Sequence, residues 1–319
     1  MMEDNIVSKK AKILCCGEAL IDMIPVESTT GTLAYQPCSG GAVFNTAIAL
    51  GRLGVETEFL TGLSSDLFGE QIKATLAESG VASSLCKLST LPTTLAFVKL
   101  ADGHATYVFY DENSAGRMLA LDDVGPVPAD MEALFFGGIS LAVEPCARTY
   151  EAIAVRESGK HVIMMDPNVR PGFIQDAGVY RARIQHMMAH CDIVKVSDED
   201  LVWLMPEVEG LDAQVDVLRR AGPSIILVTK GADGATAYLS GGRAVTVASE
   251  KVTVVDTVGA GDTFNSGILA KLSELNLLDK QALATVGEED MAAAMAFAAK
   301  IAAVTVSRKG ANPPWRKEL

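Results

Sequence analysis

Four short apolar runs constrain the fold of this chain more than any other feature of its sequence. The runs occupy residues 13–16, 162–165, 193–196 and 225–228. Nearly continuous apolar runs of this length are typical of strands that are buried on both faces of a sheet. Helical segments lie between them, and strands that alternate with helices require crossover connections. The sequence therefore predicts a three-layer α/β/α fold with a mostly parallel central sheet.

Two of the segments between the strands illustrate the helical pattern. After Asp66, apolar residues recur every fourth position, at Phe68, Ile72 and Leu76. This spacing places them on one face of an amphipathic helix. A second helix is predicted from about residue 176 to residue 190. No linker or change of composition marks a second domain, so we expect residues 1–319 to form a single α/β domain.

One region departs from the alternation of strands and helices. Residues 93–100 and 105–110 are rich in Thr, Val, Phe and Tyr, and Asp102-Gly103 between them is a strong hairpin-turn signal. With the stretch around 33–36, they predict a small sheet that stands apart from the helical layers. Such a sheet is suited to close over a ligand as a lid, although an ordinary edge hairpin is the alternative. The segments assigned to the lid are residues 22–38 and 92–112.

Charge and hydropathy exclude several classes of partner. The 319 residues include 27 basic and 40 acidic ones, and the resulting net charge of -13 disfavours nucleic acid. The most apolar stretch, residues 291–306, is interrupted by Lys300 and predicts a buried helix, so no membrane partner is expected. Residues 1–12 show no apolar secretory core, and we expect a cytoplasmic protein. The six cysteines lack metal-site spacing and are predicted to be reduced thiols.

The clearest chemical signal is a turn of small residues before a predicted helix. Gly259, Ala260 and Gly261 precede the helical run 265–275, so their backbone amides can converge on an anion at the helix N-terminus. Such an anion hole would stabilise the negative charge on a transferred phosphoryl group, and Asp262 would accept the proton of the attacking hydroxyl. The alternative is a simple tight turn with Asp262 as the helix N-cap.

The longer context of this turn resembles a known family. Residues 256–269 are similar to the C-terminal signature of the PfkB (ribokinase-like) carbohydrate kinases at every constrained position. Residues 40–47 resemble the N-terminal signature, but Val43 and Phe44 depart from it, which predicts a changed floor of the sugar pocket. The similarity covers essentially the whole chain and is greatest to the fructokinase branch. Other matching segments are residues 17–22, 166–170 and 307–311.

The resemblance implies roles for residues of the sugar site. Asp262 would be the catalytic base and residues 259–261 the anion hole, in agreement with the interpretation from the residues alone. Asp22 would bind sugar hydroxyls, with a polar loop residue as the alternative. Arg170 would contact the substrate or the phosphoryl group, with a surface salt bridge as the alternative. The residues expected to complete the sugar pocket are Gly40, Gly41 and Asn45.

The resemblance also implies which residues bind the nucleotide and the metal ions. The family's Asn-x-x-Glu motif, which helps to place magnesium and phosphates, aligns with Ser197 to Asp200, so both anchor residues differ. Asp200 would act on Mg²⁺ through a bound water, and the alternative is a helix N-terminus capped by Ser197. The loops at Asp256 and at 307–310 match those that hold a monovalent cation, so K⁺ is a possible cofactor. The expected ATP contacts are Ser197, Thr229, Lys230, Gly231 and Gly234.

Together these features predict an ATP-dependent sugar kinase that phosphorylates a primary hydroxyl of a monosaccharide, with Mg²⁺ as cofactor. Fructose is the preferred acceptor, and 2-keto-3-deoxygluconate, ribose and nucleosides remain open. A sugar- or nucleotide-sensing protein on the same fold is the alternative from a different class. An exposed face on the lid sheet would also favour a homodimer.

Overall fold

A central sheet of nine strands organises the computed structural model, which describes residues 12–101 and 104–319, with backbone alone for 99–101 and 104–106. Strands and helices are numbered in chain order. The sheet strands are β1 (Lys12–Cys16), β4 (Glu56–Leu60), β6 (Val81–Ala82), β10 (Ala133–Gly137), β11 (Val162–Asp166), β12 (Ile193–Ser197), β13 (Ile225–Thr229), β14 (Ala235–Leu239) and β15 (Ala244–Val247). Their spatial order is β15-β14-β13-β12-β11-β10-β1-β4-β6.

Most of this sheet is parallel, as the sequence predicted. All neighbours from β6 to β13 pair in parallel, whereas β14 and β15 are antiparallel. The four apolar runs form β1, β11, β12 and β13. Along β1, Ile13 and Cys15 face one hydrophobic core, while Leu14 and Cys16 face the other. Alternate residues of a strand point to opposite faces, so both faces of the sheet are covered.

Helices cover both faces, which confirms the three-layer prediction. The first core lies under α1 (Ala42–Arg52), α2 (Leu67–Glu78), α7 (Ala260–Glu274), α8 (Lys280–Ala284) and α9 (Glu288–Val306). The second core lies under α3 (Cys146–Glu157), α4 (Ala177–Met188), α5 (Asp198–Leu204) and α6 (Leu211–Ala221). Helices α2, α4 and α9 are the three that the periodicity and hydropathy predicted.

A second sheet of four strands stands apart from these layers. Its strands are β2 (Leu20–Glu27), β3 (Leu33–Gly40), β8 (Leu95–Ala101) and β9 (His104–Tyr110), in the order β3-β2-β8-β9. The predicted hairpin is β8 and β9, which pair antiparallel; its turn, Asp102-Gly103, lies outside the described residues. We call this sheet the lid sheet. A short pair, β5 (Gly62–Ser64) and β7 (Lys87–Ser89), completes the strands.

The lid sheet has two faces of different character. The register places Cys38, Asp22, Ala96 and Phe109 in one row across the four strands. Phe109 on this face lines the pocket described below, so this is the inner face. The next row, one residue along each strand, belongs to the outer face because side chains alternate.

Asp66 ties the lid sheet to the body of the molecule. Its carboxylate accepts the amides of Phe68 and Gly69 at 3.1 and 2.8 Å, and so caps the predicted helix α2. The same carboxylate accepts the amide and the hydroxyl of Thr93, at 2.8 and 2.7 Å, just before β8 begins. One side chain therefore fixes both the start of a helix and the entry to the lid.

The apolar stretch 291–306 lies in α9, which packs Met291, Met295 and Ile301 into the first core, as the prediction of a buried helix requires. Within the described ranges, no helix is long and apolar enough to cross a membrane. All six cysteines are free thiols. The prediction that no secretory signal is present concerns residues 1–12, of which 1–11 lie outside the described residues.

Candidate active site

A pocket of about 280 Å³ lies between the carboxyl end of the central sheet and the inner face of the lid sheet. This is where ligands bind in open α/β sheets. The structure brings eight of the residues predicted for catalysis and sugar binding into its lining: Asp22, Gly41, Asn45, Arg170, Gly259, Ala260, Gly261 and Asp262.

Gly40, the ninth predicted residue, lies directly behind the lining. A Cβ at this position would stand 2.2 Å from Oδ2 of Asp22, which is impossible without displacement of the carboxylate. Glycine is therefore required here by close approach rather than by a turn. Val43 and Phe44 do not line the pocket, contrary to expectation, because both point into the first core.

The turn of small residues forms the N-terminus of α7. Gly259 is the N-cap and has φ +79°, a left-handed conformation that favours glycine, and Ala260, Gly261 and Asp262 are the first three helical residues. Asp262 is thus inside the first turn and is not the N-cap, which removes the alternative interpretation. Gly259, Ala260 and Gly261 all line the pocket, so the positive end of the helix dipole lies there, and the amide of Ala260 donates to the carbonyl of Thr257 at 3.3 Å.

Asp262 is buried and held by two side-chain amides. Its Oδ2 accepts Nδ2 of Asn45 at 2.9 Å, and its Oδ1 faces Nδ2 of Asn168 at 3.4 Å. Burial raises the pKa of Asp262 to about 7. Asp166 also raises this pKa, whereas the hydrogen bond from Asn45 and the charges of Arg170 and Lys195 lower it. A carboxylate with a pKa near neutrality is suited to accept a proton at physiological pH.

Asp22 faces the same pocket from the lid. It is the third residue of β2, on the inner face of the lid sheet, and not a loop residue. It is partly buried, and burial raises its pKa to about 6. The position still suits a ligand of hydroxyl groups, because the ionised carboxylate accepts hydrogen bonds and is shielded from bulk water.

Arg170 lies on the loop after β11, at the rim of the pocket. Its Nη1 donates to the carbonyls of Val169 at 3.1 Å and of Asn168 at 3.4 Å. The surface salt bridge that was the alternative is not formed within the described residues. The guanidinium therefore keeps most of its donors available on the pocket side of the loop.

Ser197 and Asp200 form a reciprocal capping box at the start of α5. The Ser197 hydroxyl accepts the amide of Asp200, and Oδ2 of Asp200 accepts the amide of Ser197, both at 3.0 Å. Oδ1 of Asp200 also accepts the amide of Val169 at 3.0 Å. Each carboxylate oxygen keeps one lone pair, so a contact through a metal-bound water stays a prediction.

The predicted ATP contacts lie together at the carboxyl end of the neighbouring strands. Ser197 and Thr229 are paired in the register of β12 and β13, and Lys230 follows directly. Gly231 has φ +53°, and a Cβ at this position would have no neighbouring atom within 4 Å, so its backbone faces open space. Gly234, by contrast, packs against the backbone of Val247. None of these five residues lines the pocket described above, and their contact with ATP stays a prediction.

The two loops expected to hold a monovalent cation are in contact. The amides of Val255 and Asp256 donate to the carbonyl of Val306 at 2.8 and 3.2 Å. Oδ2 of Asp256 accepts the amide of Gly310 at 2.9 Å. These bonds fix the loops next to the N-terminus of α7, and binding of K⁺ between them stays a prediction.

Several residues near the site were missed by the sequence interpretation. Glu18 lines the pocket and accepts the amides of Ala42 at 2.9 Å and Ser140 at 3.3 Å. Tyr107 and Phe109 line it from the lid. Their signals were weak, because a Glu after a strand and an alternating aromatic strand both have common structural explanations.

A buried ion pair was also missed. Nζ of Lys195 lies 2.9 Å from Oδ2 of Asp166, and burial, which lowers the pKa of Lys195, is more than offset by Asp166 and Asp200, so the pKa is raised. A lysine inside an otherwise apolar strand was the signal in the sequence. Its partner, Asp166 on the neighbouring strand β11, could not be predicted without the fold.

The geometry agrees with what the comparison with known families finds. The model of the pfkB family carbohydrate kinases matches residues 10–318. The chain belongs to the pfkB family of carbohydrate kinases. This carbohydrate kinase is a phosphotransferase with the ribokinase-like fold, as its resemblance implied.

Named relatives of this carbohydrate kinase are fructokinases. It is 52% identical over 281 residues to a fructokinase of Rhizobium leguminosarum bv. trifolii, covering 87% of this chain and 84% of the relative. It is 33% identical to fructokinase-1 of rice, Oryza sativa subsp. japonica, covering 96% and 95%. The crystal structure of fructokinase with bound ATP from Xylella fastidiosa superposes with a TM-score of 0.88 at 29% identity, covering 95% and 94%.

Proposed function

We propose that this carbohydrate kinase transfers the γ-phosphoryl group of ATP to a primary hydroxyl of fructose. The observation that carries the proposal is the pocket in which Asp262, with a pKa of about 7, stands at the N-terminus of α7 and faces Asp22 on the lid. The 52% identity to a fructokinase supports fructose as the acceptor.

Asp262 serves as the general base in this proposal. Phosphoryl transfer needs little covalent chemistry from the protein beyond positioning, charge stabilisation and one proton acceptor. The Asn45 amide at 2.9 Å orients the carboxylate, so that its second oxygen can accept the proton of the sugar hydroxyl. The amides of residues 259–261 stabilise the charge that develops on the transferred group.

The lid sheet closes the sugar side in this proposal. Asp22 and Asn45 accept and donate hydrogen bonds to sugar hydroxyls, and Tyr107 and Phe109 cover them from the inner face. Water is excluded from the site when the lid is closed, which prevents transfer of the phosphoryl group to water and strengthens the electrostatic interactions inside. Arg170 contacts the sugar or the migrating phosphoryl group from the rim.

The donor set near α5 fits magnesium that arrives with the nucleotide. Oxygen ligands are what Mg²⁺ prefers, and it usually keeps several waters and binds through phosphates and one or two carboxylates. Within the described residues no group of three acidic, histidine or cysteine side chains forms a cage for a metal, in keeping with a metal held mainly by phosphates. Asp200 would hold it through water, and the ion would neutralise phosphate charge.

The same proposal also covers the ATP site, the K⁺ site, the domain organisation, the compartment and the dimer. ATP binds along Ser197, Thr229, Lys230, Gly231 and Gly234, and K⁺ binds between the loops at Asp256 and 307–310. Residues 1–319 act as a single domain with the lid segments 22–38 and 92–112. The kinase is cytoplasmic, and two copies associate through their lid sheets. The open backbone at Gly231 supports the ATP site, and the contact between the two cation loops supports the K⁺ site.

The test is ADP release from Mg-ATP with fructose, ribose, 2-keto-3-deoxygluconate and adenosine as separate acceptors. The proposal predicts that fructose gives kcat/KM at least about tenfold above each other acceptor, because a pocket built for one pattern of hydroxyls rejects the others. Preference for another acceptor would overturn fructose as substrate. Thermal stabilisation by a sugar without ADP release from any acceptor would favour the sensing protein.

A further inference from the structure

The buried ion pair beside the pocket has no structural advantage that explains it. The side chains of Lys195 and Asp166 are 6% and 2% exposed, and the other residues of β12 before Ser197 are apolar. Desolvation makes such a pair no more stabilising than apolar residues of the same volume. An ammonium group in this strand is therefore expected to serve something other than the stability of the sheet.

Asp166 connects Lys195 to the proposed base. Its Oδ2 accepts Nδ2 of Asn265 at 2.7 Å as well as Lys195, and its Oδ1 accepts the amide of Asn168 at 3.1 Å. Asn168 has φ +44°, a conformation that is uncommon outside glycine, and its side-chain amide faces Asp262. Lys195 thus fixes, through Asp166, the backbone that presents Asn168 to Asp262.

Lys195 also lies close to the anion hole. A Cβ at Gly261 would stand 3.1 Å from Nζ of Lys195, so the ammonium is next to the first turn of α7, although Lys195 itself does not line the pocket. A full positive charge there adds to the partial charge of the helix N-terminus. Because the site is buried, the charge is poorly screened and acts on negative charge that forms at the amides.

We propose that Lys195 is a positioning residue for phosphoryl transfer, which adds positive charge close to the amides of residues 259–261 and, through Asp166, holds Asn168 against Asp262. The inference rests on the proposed function. The competing explanation is a buried pair that only joins β11 to β12.

Two variants separate these explanations. Lys195→Met removes the charge and leaves the buried Asp166 without a charged partner, whereas Lys195→Met with Asp166→Asn replaces the pair by a neutral one of similar shape. We expect kcat to fall about 100-fold in both, as when one oxyanion donor is lost, with the fructose KM changed less than about threefold. The unfolding temperature should fall in the single variant and recover in the double variant. Recovery of kcat together with stability in the double variant would overturn the proposal.

The chain offers a matched control at the other end of the same strand. Nζ of Lys280 lies 2.6 Å from Oδ2 of Asp192, just before β12 begins, and far from the pocket lining. Lys280→Met should lower the unfolding temperature and leave kcat within about twofold of the wild type. A loss of kcat equal to that of Lys195→Met would show that stability alone is responsible, against the proposal.

A binding measurement tests the same point without turnover. ADP with aluminium fluoride mimics the transferred phosphoryl group, so its affinity in the presence of Mg²⁺ reports on the anion hole. The double variant should bind ADP as the wild type does and lose about tenfold or more of the gain that aluminium fluoride provides. An equal gain in both proteins would overturn the role of Lys195. If the wild type phosphorylated none of the sugars, the proposed function would fail, and this measurement would still decide the role of Lys195.

Discussion

Asp262 is placed by the conformation of its neighbours more than by its own contacts. Gly259, the N-cap of α7, has a left-handed conformation, and the helix that begins after it places Asp262 in its first turn, in the lining of the pocket. Asn45 from α1 then meets its carboxylate. The glycine-rich turn and the acid that follows it therefore form an anion hole with an adjacent proton acceptor.

The pKa of Asp262 leads to a prediction for the pH dependence. Because the carboxyl group titrates at about 7, we expect kcat/KM for fructose to fall as the pH is lowered through 7 and the base is protonated. Asn45→Ala removes a hydrogen bond that lowers this pKa, so the acidic limb should move to higher pH. The measurement is the profile of kcat/KM against pH, recorded from about 5.5 to about 9 so that both sides of the limb are covered.

Thr46→Val is the control for this profile. The Thr46 hydroxyl donates to the backbone carbonyl of Asp262 at 3.2 Å and not to its carboxylate. The acidic limb of this variant should therefore stay where it is in the wild type. A limb that is the same in Asn45→Ala and the wild type would contradict the assignment of Asp262 as the titrating base.

At the residue scale the sequence predicted which groups meet, but not how each is held. The sequence identified Asp22, Asn45 and Asp262 as site residues because the family signatures and the glycine-rich turn are local patterns. Lys195 and Asp166 were missed because their pairing depends on β11 and β12 being neighbours, which is a property of the fold. The capping role of Ser197 was foreseen as an alternative, since its signal is equally local.

Among the elements, the lid sheet has an outer face that is covered only in part, because Ile21 is buried in the first core and Ser39 is hydrogen-bonded to α2, whereas Tyr35 and Tyr110 are exposed. Tyr35 and Phe97 on this face are 5.0 Å apart, and Phe97 and Tyr110 are 5.5 Å apart, both edge to face. Tyr110 is 60% and Val108 52% exposed. A small sheet with an exposed aromatic cluster is typical of an interaction surface, which supports the proposed homodimer.

The dimer makes a prediction about Val108. Val108→Asp places a charge on the exposed part of the outer face and should convert a dimer into a monomer, because an unpaired charge is costly to bury. Light scattering over a range of protein concentrations measures the mass. Val179→Asp, on α4 at a comparably exposed position of 55%, should leave the mass unchanged. A wild-type protein with the mass of a monomer at every concentration would contradict the homodimer.

Element prediction succeeded where one physical signal dominated. The buried parallel strands are nearly continuous apolar runs, and the helices at Asp66 and Asp176 begin with a capping acid. β4 was missed because it carries Glu56 and Glu58, which hide its buried alternate positions. The antiparallel strands β14 and β15 were missed because they are short and lack an apolar run that stands out from the surrounding turns.

In the whole molecule, the pocket depends on segments that are far apart in the sequence. Asn45 and Asp262 are separated by 217 positions but share a hydrogen bond, and Asp22 reaches them from the lid sheet. The alternation of strands and helices predicted the fold class. It did not predict the strand order or the position of the lid sheet over the central sheet. Those features depend on crossover choices and packing, which are not encoded in local patterns.

The central claim is that Asp262 transfers a proton during phosphoryl transfer to fructose, and one measurement tests it directly. Single-turnover formation of ADP from Mg-ATP is compared in the wild type and in Asp262→Asn, with fructose affinity measured by calorimetry. We predict a rate about 1,000-fold lower in the variant and a fructose Kd within about threefold of the wild type. Transfer at nearly the wild-type rate by Asp262→Asn would contradict the account.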